Sequence, residues 1–147
     1  MKIALASDHR GFKFKNLISA FLSNMGHKIL DYGAPNGTDS VDYPDYGRQA
    51  ATAVGRGECE RAILVCGTGI GMSLVANKVK GVRATVCHDL YTVEMSRKHN
   101  DSNVLCLGAD VVDEKLLEKK IKLWLETPFE GGRHARRVGK IMDIESS

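Results

Sequence analysis

An open α/β fold on one parallel sheet is the class this sequence predicts, and three observations predict it. Short, nearly continuous apolar runs recur at Lys2–Ala6 (KIALA), Ala62–Cys66 (AILVC), Val82–Cys87 (VRATVC) and Val104–Leu107 (VLCL), with a weaker one at Lys28–Tyr32 (KILDY). Runs of this length without polar alternation read as strands covered on both faces. Helix-length segments lie between and after them, at Phe12–Met25, Tyr46–Val54, Gly71–Val79, Tyr91–Lys98 and Glu114–Leu125. The alternation of the two calls for crossovers of one hand and helices on both faces of the sheet.

Each element has its own reason. In Phe12–Met25 the apolar residues Phe14, Leu17, Ile18, Phe21, Leu22 and Met25 form one helical stripe. After the second strand comes the longest irregular stretch, Gly33–Tyr43 (GAPNGTDSVDY), whose Gly, Pro and Asn residues make turns. It is long for such a connection and is expected to line a site, with Tyr43 an edge residue or a lid. The third strand ends at Cys66 and runs into Gly67-Thr68-Gly69-Ile70-Gly71, which opens the third helix. His88-Asp89 follows the fourth strand, and Gly108-Ala109-Asp110 the fifth. Pro128 follows the fifth helix, and a basic helix is expected from about Arg133 to Ile144.

The chain of 147 residues, 43% hydrophobic and 27% charged, is expected to form one globular domain over 1–147, with a basic C-terminal segment from about 128 to 147. No apolar run approaches the roughly 20 residues of a membrane span. The start, MKIALASDHRG, is no signal peptide, so the expected location is the cytoplasm. A net charge of +3 is too mild for a nucleic-acid partner. The four cysteines, Cys59, Cys66, Cys87 and Cys106, form no C-x-x-C pair, which argues against structural zinc and, in that compartment, disulfides are disfavoured.

Ligands of open parallel sheets bind beyond the carboxyl ends of the strands. The residues placed there are Ser7-Asp8-His9-Arg10-Gly11, Cys66 to Gly71, His88-Asp89 and Gly108 to Asp110. Three glycines in the five positions Gly67–Gly71 let a tight turn aim several amides at one spot, an anion hole. It is not a P-loop, because no Lys-Ser/Thr follows. A dinucleotide fingerprint needs glycine where Met72 stands, although Asp89 lies about 20 residues downstream, as a ribose-binding acid would.

Beside those amides Cys66 is favoured as a thiolate and is placed as nucleophile or general base, against the plainer reading of a small residue ending a strand. Asp8 is either a cap of the first helix or a partner for a hydroxyl-rich ligand. His99 ends the fourth helix, where a histidine often only complements the dipole. The run GGRHARRVGK (131–140) holds Arg133, His134, Arg136, Arg137 and Lys140 without an acid and suits a small anion. Arg133 and Arg137 are four apart and share a helix face, and Arg136 points elsewhere.

Asp8-His9-Arg10-Gly11, Asp42-Tyr43-Pro44, Cys66-Gly67-Thr68-Gly69-Ile70-Gly71 with Asn77-Lys78, His99-Asn100-Asp101-Ser102-Asn103 and Glu130-Gly131-Gly132-Arg133-His134 occur in that order. Together they resemble the type B ribose-5-phosphate isomerases, whose family also holds the galactose-6-phosphate isomerase subunits. The resemblance covers essentially the whole chain. It implies a Rossmann-like three-layer α/β/α sandwich with a five-stranded parallel sheet. It also implies a homodimer, in some members a tetramer, with sites shared between subunits, acting on a sugar phosphate without metal or cofactor. Cys66 would then move the proton between C1 and C2, and Thr68 with the amides of Gly67, Gly69, Ile70 and Gly71 would hold the enediolate. Asp8 and His99 would open the furanose ring, with Asn100 beside it. His9, Arg133, His134 and Arg137 would bind the phosphate, and Tyr43 would contact the sugar. Many relatives carry an arginine near Asp110. Its loss points to a looser phosphate end and to a six-carbon sugar phosphate or free allose as alternative substrates. A non-catalytic phosphosugar- or nucleotide-binding module is the competing reading, but it does not need Cys66, His99 and Asp8 at one sheet edge.

Overall fold

The computed structural model describes Met1–Ser147. Five strands, β1 (Lys2–Ser7), β2 (Lys28–Asp31), β3 (Arg61–Cys66), β4 (Ala84–Val86) and β5 (Val104–Gly108), form one all-parallel sheet in the order β2-β1-β3-β5-β4. The helices are α1 (Phe12–Asn24), α2 (Tyr43–Gly55), α3 (Ile70–Ala76), α4 (Leu90–Lys98), α5 (Leu117–Glu126) and α6 (Arg133–Asp143). This is the expected three-layer sandwich.

The strand order decides which helix covers which face. Crossovers between parallel strands are right-handed, so a connection moving one way across the sheet lays its helix on one face, and a connection moving back uses the other. The steps β1→β2 and β4→β5 run one way, and α1 and α4 share a face with α5. The steps β2→β3 and β3→β4 run the other way, and α2 and α3 take the opposite face. Alternate strand residues follow suit. Ile3, Leu5, Ile63, Val65, Leu105 and Leu107 pack with Ile18, Leu22, Val93, Ile121 and Trp124. Ala4, Ala6, Ala62, Leu64, Cys66 and Cys106 pack with Ala50, Ala51, Ala53, Met72 and Ala76. The second layer is rich in alanine, which brings α2 close to the sheet.

Buried charges tie the layers. Lys15 in α1 is 2% exposed, and its Nζ donates to Asp31 at 2.8 and 3.0 Å and to the Ala34 carbonyl at 3.0 Å. The long loop is thereby fastened at its start. Arg61 donates to the Trp124 carbonyl at 2.8 Å, and burial draws its pKa down to about 10.

Four boundaries differ from expectation, the first being helix α5, which starts at Leu117 because Glu114–Leu116 form a separate 3-10 turn capped by Asp113. The run Val82–Cys87 yields only Ala84–Val86, because β4 is an edge strand and the Asn103 and Asn77 side chains take the Arg83 and Ala84 amides, at 2.7 and 2.9 Å. Helix α2 starts at Tyr43 rather than Tyr46, since Pro44 in its first turn has no N–H to satisfy. Tyr43 is therefore a helix residue, not a loop residue. Helix α3 spans Ile70–Ala76 rather than Gly71–Val79. Helix α6 forms as expected, yet His134 is its one buried residue.

Candidate active site

Strands β1 and β3 are neighbours, but the chain leaves them for opposite faces, toward α1 and α3. Their loops part and leave a crevice at the carboxyl edge, as at the switch point of other doubly wound sheets. A cleft of about 340 Å³ opens there, lined by Asp8, Arg10, Tyr43, Cys66, Gly67, Thr68, Ile70, Gly71 and Leu74.

Cys66 ends β3 and is 4% exposed. Its Sγ accepts a hydrogen bond from the Gly69 amide at 3.2 Å. That bond depends on the left-handed turn at Gly69 (φ 81°), where a Cβ would also come within 3.0 Å of the Leu107 carbonyl carbon and Val86 Cγ2. Gly69→Ala is expected to move the amide off the sulfur and to lower kcat more than KM, read from steady-state kinetics beside a thermal melt; unchanged kcat would separate the turn from the chemistry. Thr68 is exposed, and its Oγ1 accepts from the Ile70 amide at 3.2 Å. Burial pushes the thiols of Cys59, Cys87 and Cys106 up.

Asp8 is 5% exposed, and its Oδ1 accepts from the Gly11 amide at 3.0 Å, so it caps the turn that enters α1. Its other oxygen accepts from no protein group. His9 uses Nδ1 to accept from the Val41 amide at 3.1 Å, which tethers the long loop and leaves Nε2 for a ligand. The Tyr43 ring lies over Gly71, where a Cβ would approach it to 2.5 Å. Asp89 is occupied: it caps α4, accepting from the Thr92 amide at 2.7 Å, and these Thr92 bonds hold its carboxyl below the usual range.

The remaining candidates lie elsewhere. Helix α4 runs back against the strand direction, so His99 at its end reaches the amino edge of the sheet. The Asn100 carbonyl there accepts from Arg83 Nε, just ahead of β4, at 3.2 Å. The His99 and His134 rings stack with centroids 4.2 Å apart and planes 8° apart. Glu130 stands 3.5 Å from His134 Nε2. Desolvation, then His99 and Arg133, hold His134 below the ordinary histidine value, which favours a neutral ring. Arg133 and Arg137 are exposed and engage no carboxylate of their own chain; Arg136 is exposed as well, so this chain alone does not set it apart.

Residues 3–141 match the family described as Ribose/Galactose Isomerase. The chain belongs to this family. It is 45% identical to ribose-5-phosphate isomerase B of Escherichia coli over 98% of this chain and 96% of that one. The Clostridium thermocellum ribose-5-phosphate isomerase B structure superposes with a TM-score of 0.96 at 50% identity, covering 99% of this chain and 98% of that one. Ribose-5-phosphate isomerase B of Mycoplasma genitalium, solved with bound ribulose-5-phosphate, gives 0.95 at 37%, covering 99% and 97%. The protein is thus an isomerase of the ribose/galactose isomerase family. No helix is long and apolar enough to cross a membrane.

Within this isomerase the candidate residues fall into two groups. Asp8, Tyr43, Cys66, Gly67, Thr68, Gly69, Ile70 and Gly71 surround the cleft, with His9 beside Asp8. His99, Asn100, Arg133, His134 and Arg137 cluster at the amino edge. Cys66, His99 and Asp8 therefore do not share one edge of a single chain; the length of a strand separates them, on the order of 15 Å for five residues. His99, Glu130 and His134 offer ligand atoms within 4.8 Å of one another. Each imidazole lone pair lies in its ring plane, and two stacked parallel planes do not meet at one ion, so the cluster is not shaped for a metal. Arg10, which the sequence places at this edge without a role, and Leu74, which it does not reach, also line the cleft. The position of Arg10, two residues beyond Asp8 at a strand end, was the available signal. Its guanidinium pairs with the Asp110 carboxylate, so the acid at that position does not stand alone.

Proposed function

We propose that this isomerase interconverts ribose 5-phosphate and ribulose 5-phosphate in the cytoplasm, as a homodimer whose sites are each built from two copies. The observation that carries the chemistry is the buried Cys66 sulfur, held by an amide at the switch-point crevice beside Asp8. In the open-chain aldose, C1 is the carbonyl and C2 bears the proton. The Cys66 thiolate takes the C2 proton, the electron pair moves to O1, and an enediolate forms. Cys66 returns the proton to C1, a hydroxyl proton passes from O2 to O1, and C2 becomes the carbonyl. Thr68 and the loop amides other than those of Gly69 and Ile70, which already donate to Cys66 Sγ and Thr68 Oγ1, face the developing charge, which is where preorganised donors contribute most. Asp8 with His99 opens the furanose ring, and Asn100 and Tyr43 hold the sugar.

The division of residues between two edges supports the shared site. A second copy presenting its amino edge to this cleft brings His99, Asn100, Arg133, His134 and Arg137 to Cys66, and two-fold symmetry makes two such sites. Ile70 and Leu74 beside the cleft are 51% and 63% exposed, and Ile141 and Ile144 at the C-terminal end are 46% and 70% exposed. A helix that buries only His134 in its own chain is also suited to lie on a neighbour. His9 with the arginines takes the phosphate.

The test is turnover of ribose 5-phosphate, allose 6-phosphate and free allose in the presence of a chelator. Highest kcat/KM on ribose 5-phosphate, indifferent to chelation, is the expected result. Preference for a six-carbon sugar keeps the chemistry and changes the substrate, and no turnover of any sugar leaves the binding-module reading in its place. Arg137→Ala is expected to raise KM for ribose 5-phosphate on the order of tenfold or more, the worth of a charge-assisted bond, and to leave free sugars far less affected. Equal effects on both would remove Arg137 from the phosphate.

A further inference from the structure

Besides Asp8, Arg10 is the one charged side chain lining the cleft. Its guanidinium fills the space a side chain at position 67 would need: a Cβ on Gly67 would lie 2.5 Å from Nη1 and 2.6 Å from Cζ. Asp110, arriving from the end of β5, binds Nη2 of the same guanidinium. The Asp110 amide also donates to the Gly67 carbonyl at 3.0 Å, and the Ala109 amide to the Cys66 carbonyl at 2.8 Å. Two loops thus converge on the residue that follows Cys66, and they carry an ion pair to it.

The pair contributes little to folding. Its side chains are 53% and 49% exposed, and solvent screens an exposed pair. Arg10 makes no other hydrogen bond within the chain, so most of its five donors remain free at the mouth of the cleft. A fork of donors held in one orientation matches a phosphate better than a lone ammonium does.

We propose that Arg10 is a specificity residue that donates to a phosphate oxygen of the substrate from the copy that supplies Cys66, with Asp110 as its positioning residue. This rests on the sugar-phosphate reading of the cleft. Asp110 acts in two directions: it fixes the guanidinium against Gly67, and its negative charge opposes an incoming phosphate dianion. The cation and the acid together set how strongly the site prefers phosphorylated over free sugars.

The experiment compares wild type, Arg10→Ala, Asp110→Asn and the double variant on ribose 5-phosphate and free allose, and titrates each with inorganic phosphate by calorimetry. Arg10→Ala is expected to raise KM for ribose 5-phosphate and the phosphate Kd on the order of tenfold, with a much smaller change on allose. Asp110→Asn keeps an acceptor for the guanidinium without the charge, and is expected to lower KM for ribose 5-phosphate several-fold, through KM more than kcat. That gain disappears when Arg10 is alanine. Equal shifts on both sugars, or a phosphate Kd that ignores Arg10, overturn the proposal. If the wild type turns over no sugar, the isomerase substrate reading fails separately, and the phosphate titration still decides whether Arg10 binds an anion.

Discussion

Cys66→Ala is expected to leave a folded protein whose turnover of ribose 5-phosphate falls by roughly 10²–10⁴-fold, the range for losing a positioned general base. The fold survives because the change removes one sulfur from a layer already lined by Ala4, Ala6, Ala62 and Ala76. The cost in stability is on the order of 1 kcal/mol, that of a small buried deletion. Cys66→Ser tests the chemistry more narrowly, since it keeps an acceptor for the Gly69 amide but offers a far weaker base. Steady-state kinetics with a thermal melt on each variant separates the two effects. Near-normal kcat in Cys66→Ala with an intact melt would remove the sulfur from the mechanism.

Mixing two inactive variants restores activity if the site is shared. Cys66→Ala spoils the carboxyl-edge half and His99→Asn the amino-edge half. In a mixed dimer one site receives both lesions and the other receives none. Random reassortment of equal amounts gives about a quarter of wild-type activity, since half the dimers are mixed and each carries one intact site of two. The measurement is activity after the two proteins are dissociated, mixed and reassociated, against each variant treated alone. No recovery, with dimers present by sedimentation, would put the two halves in separate functions.

The sheet was legible from sequence because both its faces are covered, which made Ala62–Cys66 and Val104–Leu107 unbroken apolar runs. The run Val82–Cys87 reads longer than β4 because Val82 and Cys87, beyond the ends of the strand, are as buried as strand residues, at 5% and 1% exposure. Tyr43 reads as the end of the irregular stretch Gly33–Tyr43, whereas Pro44 in the first turn lets the helix open at Tyr43. The carboxyl-edge half of the candidate site followed from strand ends alone. The amino-edge half did not, because the position of His99 depends on which way α4 runs back, a relation of elements rather than a local pattern. The pairing of Arg10 with Asp110, 100 positions apart, was equally out of reach of any spacing rule.

The separation of Cys66 from His99 by the length of the sheet has a consequence for the history of such chains. A single-chain catalytic pair is lost when either member mutates. On the proposed shared site each edge would carry its own chemical duty, and a gene duplicate that had lost its sulfur would still lend a histidine to its sibling. On that proposal two diverging copies would divide the labour, one keeping the base and the other the ring-opening end, on the same scaffold. The asymmetry needed for a two-gene enzyme would then be latent in the right-handed winding of one sheet.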